Sequence, residues 1–189
     1  MRPAVMVVAQ LVAGVSPGDD REAEDIRSTL AWMQRTDDVF RREKPATPDR
    51  HLVSYVVPVD PDTGHLLLGE HLNAALWLPP GGHVEVDEHP ATTARREAAE
   101  ELQVDASNRL ADRPLFLSVT ETVGRDSGHT DVSLWFLLLL RRDEPFSVDR
   151  NEFRAACWWS PDDIRTADPA TLDPSLNRFL VKLRHLSHP

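Results

Sequence analysis

The fold of this chain is decided by residues 81–104, which read GGHVEVDEHPATTARREAAEELQV. A glycine pair opens the stretch, and Pro90 suits the first position of a helix. On that helix Glu97, Glu100 and Glu101 have i, i+3 and i+4 spacing and therefore share one face. Carboxylates held so close repel one another, and a hard divalent cation with oxygen ligands, Mg²⁺ above all, would offset that repulsion.

The same helix carries a second pattern that a solvated, Glu-rich surface helix does not explain. Its small and apolar residues form a separate stripe that can pack against a sheet, made of Ala91, Ala94, Ala98 and Leu102. The pair Gly81-Gly82 permits close approach of a backbone carbonyl to the carboxylates. Glu88, just before the helix, can reach Arg96. These features favour a cation-binding helix over an ordinary surface helix.

Segments rich in β-forming residues lie on both sides of this helix. The predicted strands are 52–59, 66–68 and 75–78 before it, and 115–123, 132–140 and 155–159 after it. The helix itself is predicted to run from about Pro90 to Leu102, and a C-terminal helix is predicted from Asp173-Pro174 onward. This order of elements predicts an α/β domain over residues 48–189, with a mixed sheet flanked by helices.

Residues 1–47 are predicted to be an N-terminal extension with one helix over residues 19–35. Asp19 or Asp20 can cap that helix. An apolar stripe follows one of its faces and contains Ile26, Leu30 and Met33. Because a lone helix does not keep such a stripe in water, the extension should either cover the domain or form a homodimer contact. The proline-punctuated residues 41–48 are interpreted as a linker.

The apolar run from Ala4 to Val15 loosely resembles a secretion signal. It follows a single arginine and a proline, and it is too short to cross a bilayer as a helix. We therefore interpret it as a strand or helix packed on the domain, and we expect a cytoplasmic protein without a membrane partner.

Charge and cysteine content limit the function further. The 189-residue chain has a formal net charge of -10 at pH 7, which disfavours binding to the phosphates of a nucleic acid polymer. A small anionic substrate would also be repelled unless a cation intervened. The single cysteine, Cys157, excludes an intrachain disulfide and is interpreted as a small buried residue.

The stretch resembles the signature of the Nudix, or MutT-like, hydrolases. That signature is Gly, five residues, Glu, seven residues, Arg-Glu, an apolar residue, any residue, Glu-Glu, any residue, Gly and an apolar residue. In register with it stand Gly82, Glu88, Arg96, Glu97, Ala98, Glu100, Glu101 and Val104. Gln103 departs from it by replacing the last glycine, and a non-glycine residue at positive φ there costs about 1 kcal/mol. The resemblance covers roughly residues 50 to 186 and implies a Nudix-type α/β/α sandwich.

The resemblance implies Mg²⁺-dependent hydrolysis of a nucleoside diphosphate linked to another group, NDP-X, to NMP and P-X, with Mn²⁺ as a substitute ion. It also implies a set of metal ligands, namely the carbonyl of Gly81 and the side chains of Glu97, Glu100 and Glu101. Glu88 and Arg96 would pair and orient these acids. The alternative is a related module that binds a nucleotide without hydrolysing it, against which the complete set of acids argues.

The general base of such a reaction is left open by the sequence. Glu100 or Glu101 can serve by position. Related enzymes often use an acid outside the signature, and the candidate here is Glu152, just before a predicted strand. A plain surface position for Glu152 fits the sequence equally well.

Substrate contacts must come from residues outside the signature carboxylates. His83 follows the glycine pair and can touch a phosphate, while His129 and Asp131 flank the start of a strand and can face the pocket. For the His129–Asp131 pair, hydrogen bonding is favoured over zinc binding. Trp77 and Trp135 could stack on a base, although tryptophans in strands are usually part of the core.

Overall fold

The computed structural model describes residues 1–43, 47–122 and 128–187. Its α-helices are α1 (Pro3–Ala13), α2 (Asp20–Arg35), α3 (Pro90–Leu102), α4 (Pro161–Thr166) and α5 (Leu176–Ser187). Its strands are β1 (Arg50–Val59), β2 (Leu66–His71), β3 (Trp77–Leu78), β4 (Gly81–His83), β5 (Phe116–Glu121), β6 (Thr130–Leu139) and β7 (Phe153–Trp159). A short 3₁₀ turn, Pro169–Thr171, precedes the last helix.

The strands form one sheet in the order β3-β2-β1-β6-β5, with β4 paired to β1 and β7 paired to β2. The central pair, β1 and β6, is parallel, and Arg50 lies opposite Thr130. The other pairs are antiparallel. The sheet is therefore mixed, as the order of elements predicts.

Side chains alternate between the two faces of the sheet, and each face has its own apolar core. On β1, Leu52 and Val56 belong to one core, whereas Val57 and Val59 belong to the other. Residues of α1, α2 and α3 complete the first core, and residues of α4 and α5 complete the second. This is the predicted α/β/α sandwich.

Helix α3 has the predicted bounds, and its two faces have the predicted roles. The stripe that packs on the sheet is 0–3% exposed and contains Ala91, Ala94, Ala98 and Leu102. Pro90 occupies the first turn, and the Nδ1 atom of His89 accepts a hydrogen bond from the N–H of Ala91. The helix ends at Gln103, whose φ of 56° and ψ of 34° are left-handed. A side chain in this conformation costs roughly 1 kcal/mol or more relative to glycine.

The N-terminal residues pack on the domain rather than trailing from it. Helix α2 begins one residue after Asp19, whose Oδ1 atom accepts a hydrogen bond from the N–H of Glu22 and caps the helix. Its predicted stripe is confirmed, since Ile26 and Met33 are buried in the first core and Leu30 packs against it. The apolar run before it forms helix α1. Within the described residues, no helix is both long and apolar enough to cross a membrane.

A buried ion pair joins α2 to the rest of the fold. The Oε1 atom of Glu22, which is fully buried, accepts hydrogen bonds from the Nζ atom of Lys182 at 2.6 Å and from the N–H of Leu117 at 3.1 Å. One carboxylate therefore connects α2, α5 and β5. Burial lowers the pKa of Lys182, and the hydrogen bond to Glu22 acts in the opposite direction.

Three sequence predictions are wrong in detail. Cys157 is exposed, not buried, because it lies on β7, which pairs with β2 alone among the described strands. Strand β3 starts at Trp77, since the residues before it form a turn in which Ala75 has a φ of 55°. Helix α5 starts at Leu176, because Asp173 accepts a hydrogen bond from the N–H of Ser175 and holds the preceding turn. Of the predicted loop at 124–129, residues 124–127 lie outside the residues that the structure describes.

Candidate active site

An open cavity lies beside the polar face of α3. Its lining includes two elements and one glutamate from a distant part of the chain. They are Gly81–His83 of β4, the side chains of Arg96, Glu97, Glu100 and Glu101 on α3, and Glu152, which precedes β7. The sequence places most of these residues together, because they belong to one contiguous stretch. Glu152 comes from a distant part of the chain, and β7 brings it to the same wall.

Two glycines allow β4 to approach β1 on one side and the Glu97 side chain of α3 on the other. A Cβ atom on Gly82 would stand 2.1 Å from Oε1 of Glu97, and one on Gly81 would stand 2.4 Å from the carbonyl oxygen of Ser54. Neither distance is possible for a real side chain. The N–H of Gly81 donates a hydrogen bond to Oε2 of Glu101 at 2.8 Å. Gly81 is therefore required for the close approach of β4 to β1, whereas a side chain at Gly82 would push the carboxylate of Glu97 away from β4.

Arg96 connects the acids of the site. Its Nη1 atom donates to Oε1 of Glu97 at 2.7 Å and to Oε2 of Glu100 at 3.2 Å. Its Nη2 atom contacts Oε2 of Glu88 and the carbonyl oxygen of His83, each at 3.4 Å. The predicted Glu88–Arg96 pair is thus present. Burial acts to lower the pKa of Arg96, but the surrounding carboxylates raise it well above its usual range.

The carboxylates of α3 differ in their surroundings. Glu97 and Glu101 are 7% and 6% exposed, whereas the side chain of Glu100 is 60% exposed. Burial, reinforced by the charge of Glu97, raises the pKa of Glu101 to about 9, and burial also raises the pKa of Glu97. Burial acts to raise the pKa of Glu88 as well, but hydrogen bonds from Thr93 and Arg96 outweigh it, so this pKa is lowered. Burial therefore makes the charged form of both Glu97 and Glu101 costly, even with the guanidinium of Arg96 beside Glu97.

This donor set fits a hard divalent cation. Carboxylate oxygens from one helix face converge on a cavity together with the backbone of Gly81, and such oxygens are the ligands that Mg²⁺ prefers. The positive charge of a cation at this position would stabilise the negatively charged form of the buried glutamates.

Comparison with known families decides the assignment. A model of the NUDIX domain matches residues 49–182 of the chain. The chain belongs to the Nudix family. Family membership assigns it to the Nudix pyrophosphohydrolases, enzymes that act on acid anhydrides of phosphorus. Residues 81–104, which resemble the signature of this family, are called the Nudix box below.

Solved Nudix structures share the fold at low sequence identity. The MutT protein from Methanosarcina mazei Go1 is 18% identical and has a TM-score of 0.60, covering 73% of this chain and 95% of its own. The NUDIX domain of Shewanella oneidensis NrtR, complexed with ADP ribose, is 19% identical and has a TM-score of 0.57, covering 72% of this chain and 87% of its own. A C. elegans Ap4A hydrolase is 18% identical and has a TM-score of 0.54, covering 72% of this chain and 96% of its own. A comparison with curated protein sequences gives no match.

A second, more apolar cavity adjoins the Nudix box and shares Gly81, Gly82 and His83 with the first. His129 and Asp131 line it, so these predicted residues do lie in a pocket. Its other polar walls include residues that the sequence did not single out, Tyr55, Thr120, Thr122 and Asp173. Burial raises the pKa of Asp173 to about 6, and the hydroxyl of Tyr55 lies 3.5 Å from its Oδ2 atom.

Glu152 lies at the rim of the first cavity. Its side chain is 47% exposed, and its Oε2 atom lies 3.7 Å from Nε2 of His71. Its carbonyl oxygen accepts a hydrogen bond from the N–H of Leu72, which fixes the backbone beside the cavity. Of the predicted tryptophans, Trp135 is fully buried and Trp77 packs edge-on against Trp159, so both are better explained as core residues.

Proposed function

We propose that this Nudix protein hydrolyses NDP-X to NMP and P-X with Mg²⁺, or with Mn²⁺ in its place. One observation carries the proposal. The carboxylate face of α3 opens into a polar cavity that continues, past Gly81–His83, into a more apolar one. The polar part suits a diphosphate with its cation, and the apolar part suits a nucleoside or another organic group.

The residues that would hold the cation are Glu97, Glu100 and Glu101, with the carbonyl of Gly81. When bound, the cation neutralises the diphosphate, polarises a phosphorus–oxygen bond and makes a water molecule more acidic. Arg96 and Glu88 keep the ligand side chains in place through the contacts described above. His83 lines both cavities where they meet.

The relatives support a nucleotide-derived substrate. The NrtR domain was solved with ADP ribose, and the C. elegans relative is named for its hydrolysis of Ap4A. Both compounds contain a nucleoside joined through phosphoanhydride bonds to a second group. The net charge of -10 makes a nucleic acid polymer an unsuitable substrate.

A panel of NDP-sugars, dinucleoside polyphosphates and nucleoside triphosphates tests the reaction. With Mg²⁺, we expect phosphatase-sensitive products from the NDP-X compounds, and none when EDTA replaces Mg²⁺. Product masses of NMP and P-X would fix the position of cleavage. Tight binding of a panel member without turnover in Mg²⁺ or Mn²⁺ would refute the reaction and leave a binding module instead.

Glu152 is proposed as the general base. It lines the same cavity as the α3 ligands but comes from outside the box, and an acid there leaves the box carboxylates free to bind the cation. General-base assistance contributes roughly 10²–10⁴-fold to rate. We therefore expect Glu152→Gln to lower kcat within that range, with little change in KM or in Mg²⁺ affinity.

A matched control for this variant is Glu70→Gln. Glu70 lies on β2, the strand that pairs with β7, and its carboxylate contacts Arg154 at 2.8 Å without lining either cavity. Steady-state rates against Mg²⁺ concentration should leave Glu70→Gln near the parent rate. A loss of Mg²⁺ affinity in Glu152→Gln would make Glu152 a ligand, and an unchanged kcat would return the role of base to Glu100 or Glu101.

A further inference from the structure

We propose that His51, His83, His129 and Asp131 form a second metal site, separate from the Nudix box, that binds a transition metal of the Zn²⁺ type. Each residue offers one ligand atom, and these four atoms lie within 4.8 Å of one another. The proposal concerns metal binding and does not depend on which substrate is hydrolysed. No ligand in the set belongs to the carboxylates of α3.

The sheet brings these residues together from three strands. His51 on β1 lies directly opposite Asp131 on β6 in the parallel pair. His83 on β4 pairs with Val53 of β1, and His129 immediately precedes β6. The ring centroids of His83 and His129 lie 4.7 Å and 4.9 Å from that of His51.

The distances already approach those of a tetrahedral site. Oδ1 of Asp131 lies 3.2 Å from Nε2 of His51 and 3.4 Å from Nε2 of His129. Metal–nitrogen and metal–oxygen bonds of about 2.0–2.1 Å place tetrahedral ligand atoms about 3.3 Å apart. Two edges of the tetrahedron are therefore in place, and the remaining ligand atoms lie within 4.8 Å of one another, so they would have to move closer by up to about 1.5 Å.

Hydrogen bonds to the far side of two rings orient them for a metal. Nδ1 of His51 lies 2.7 Å from the carbonyl oxygen of Pro48, which can only accept, so Nδ1 carries the hydrogen. Nδ1 of His129 lies 3.1 Å from the hydroxyl of Thr122, which also contacts the His129 carbonyl. Donation of the other ring N–H to an oxygen is the usual arrangement of a metal-binding histidine.

This arrangement points ring lone pairs at a carboxylate oxygen. His51 is fully buried, and among the described residues neither its Nε2 atom nor Oδ1 of Asp131 has a partner of hydrogen-bond geometry. Two acceptors at 3.2 Å need a cation between them. A proton could serve one His–Asp pair, but Oδ1 of Asp131 faces two imidazoles at once, and the ligand atom of His83 lies within 4.8 Å of the other three. Imidazole nitrogens favour Zn²⁺ over Mg²⁺.

The metal would also fix the wall that the two cavities share. His83 lies next to Gly82, and its carbonyl oxygen accepts a hydrogen bond from Nη2 of Arg96. Four protein ligands close a tetrahedral shell, which is typical of structural rather than catalytic zinc. Bound there, the metal would hold β4 at the position from which Gly81 and Gly82 contact the box carboxylates.

Cobalt substitution of the full chain tests the site. The protein is stripped with chelator and titrated with Co²⁺ in excess Mg²⁺, so that the Nudix box is occupied by Mg²⁺. We expect one equivalent of Co²⁺ to give the strong visible bands of four-coordinate cobalt, and Zn²⁺ to abolish them by displacement. Metal analysis of the Zn²⁺-loaded protein should give one zinc per chain after dialysis against Mg²⁺.

Matched variants locate the ion. His129→Gln and Asp131→Asn should weaken Zn²⁺ binding by more than ~100-fold, since loss of even an outer partner of a ligand costs 10–100-fold. Glu100→Gln and His185→Gln should retain the cobalt bands, because Glu100 belongs to the box and His185 is an exposed residue of α5. Circular dichroism checks that each variant is folded.

Three results would overturn the proposal. The first is that the parent chain gives only the weak bands of six-coordinate cobalt. The second is that the bands are lost in Glu100→Gln but not in the folded His129→Gln or Asp131→Asn variant. The third is that ¹⁵N-detected NMR shows protonated His51 and His129 rings that Zn²⁺ leaves unchanged. The last result would assign the cluster to a shared proton. If His129→Gln does not fold, Asp131→Asn and the NMR measurement still decide.

Discussion

Glu101→Gln and Glu100→Gln are each expected to lower kcat/KM by about 10³-fold or more, because each removes a carboxylate proposed to hold the catalytic cation. The Glu101 variant changes the more buried of the two side chains. Glu101 is 6% exposed, and it receives the N–H of Gly81. Glutamine keeps the shape and can still accept that hydrogen bond, but it carries no charge for a cation.

The measurement is turnover of the best NDP-X substrate over a range of Mg²⁺ concentrations, with thermal melts of the same samples. Glu24→Gln is a suitable control, since Glu24 is exposed on α2 and contacts only Arg27 among the ion pairs of the described residues. Without added cation, Glu101→Gln should be at least as stable as the parent, because burial makes the glutamate charge costly. Parent-like rates in both box variants would contradict the proposed ligand set.

A chain that begins at Pro48 is expected not to fold stably. Helices α1 and α2 contribute to the same core as β1 and α3, through Val5, Val8, Val12, Ile26, Trp32 and Met33. Burial of one such side chain stabilises by about 1.5–3 kcal/mol, and a typical domain has only about 5–15 kcal/mol in total. Removal would also leave the buried Lys182 without its carboxylate partner, Glu22.

Soluble yield, the thermal melt and the sedimentation coefficient of this shorter chain would test the expectation. A milder comparison is Lys182→Met in the full chain, which leaves Glu22 buried and unpaired. Breaking a buried pair in this way costs about 3–5 kcal/mol. A shorter chain with the melting temperature and association state of the parent would show that the N-terminal helices are dispensable.

Local patterns in the sequence were sufficient to predict helix α3 and its two faces. The start of α3 at Pro90, the alanine stripe and the carboxylate face all depend on residues a few positions apart, so their spacing predicts them. The exposed position of Cys157 depends on which strands flank β7, and spacing does not contain that information. The helical stripe of α2 was likewise predicted, but a stripe does not identify the surface that covers it.

The histidine cluster shows the same limit more clearly. His129 and Asp131 are neighbours in the sequence and were predicted to hydrogen bond. His51 is distant from both, and it joins them only because β1 and β6 pair in parallel in one register. A prediction of that register from one sequence would require knowledge of the whole sheet. The same pairing brought Tyr55, which the sequence did not single out, into the second cavity.

The parallel β1–β6 pair also determines when this chain can fold during its synthesis. Arg50 lies opposite Thr130 and Val59 opposite Leu139, so β1 leaves the ribosome long before its central partner exists. Strand β2 can pair with its sequence neighbours β1 and β3, but its other partner, β7, ends only at Trp159. Unpaired apolar strands in the nascent chain are prone to aggregation. Chaperone supply and slow translation at low temperature should therefore improve the yield of this protein more than they would for a helical bundle of equal length.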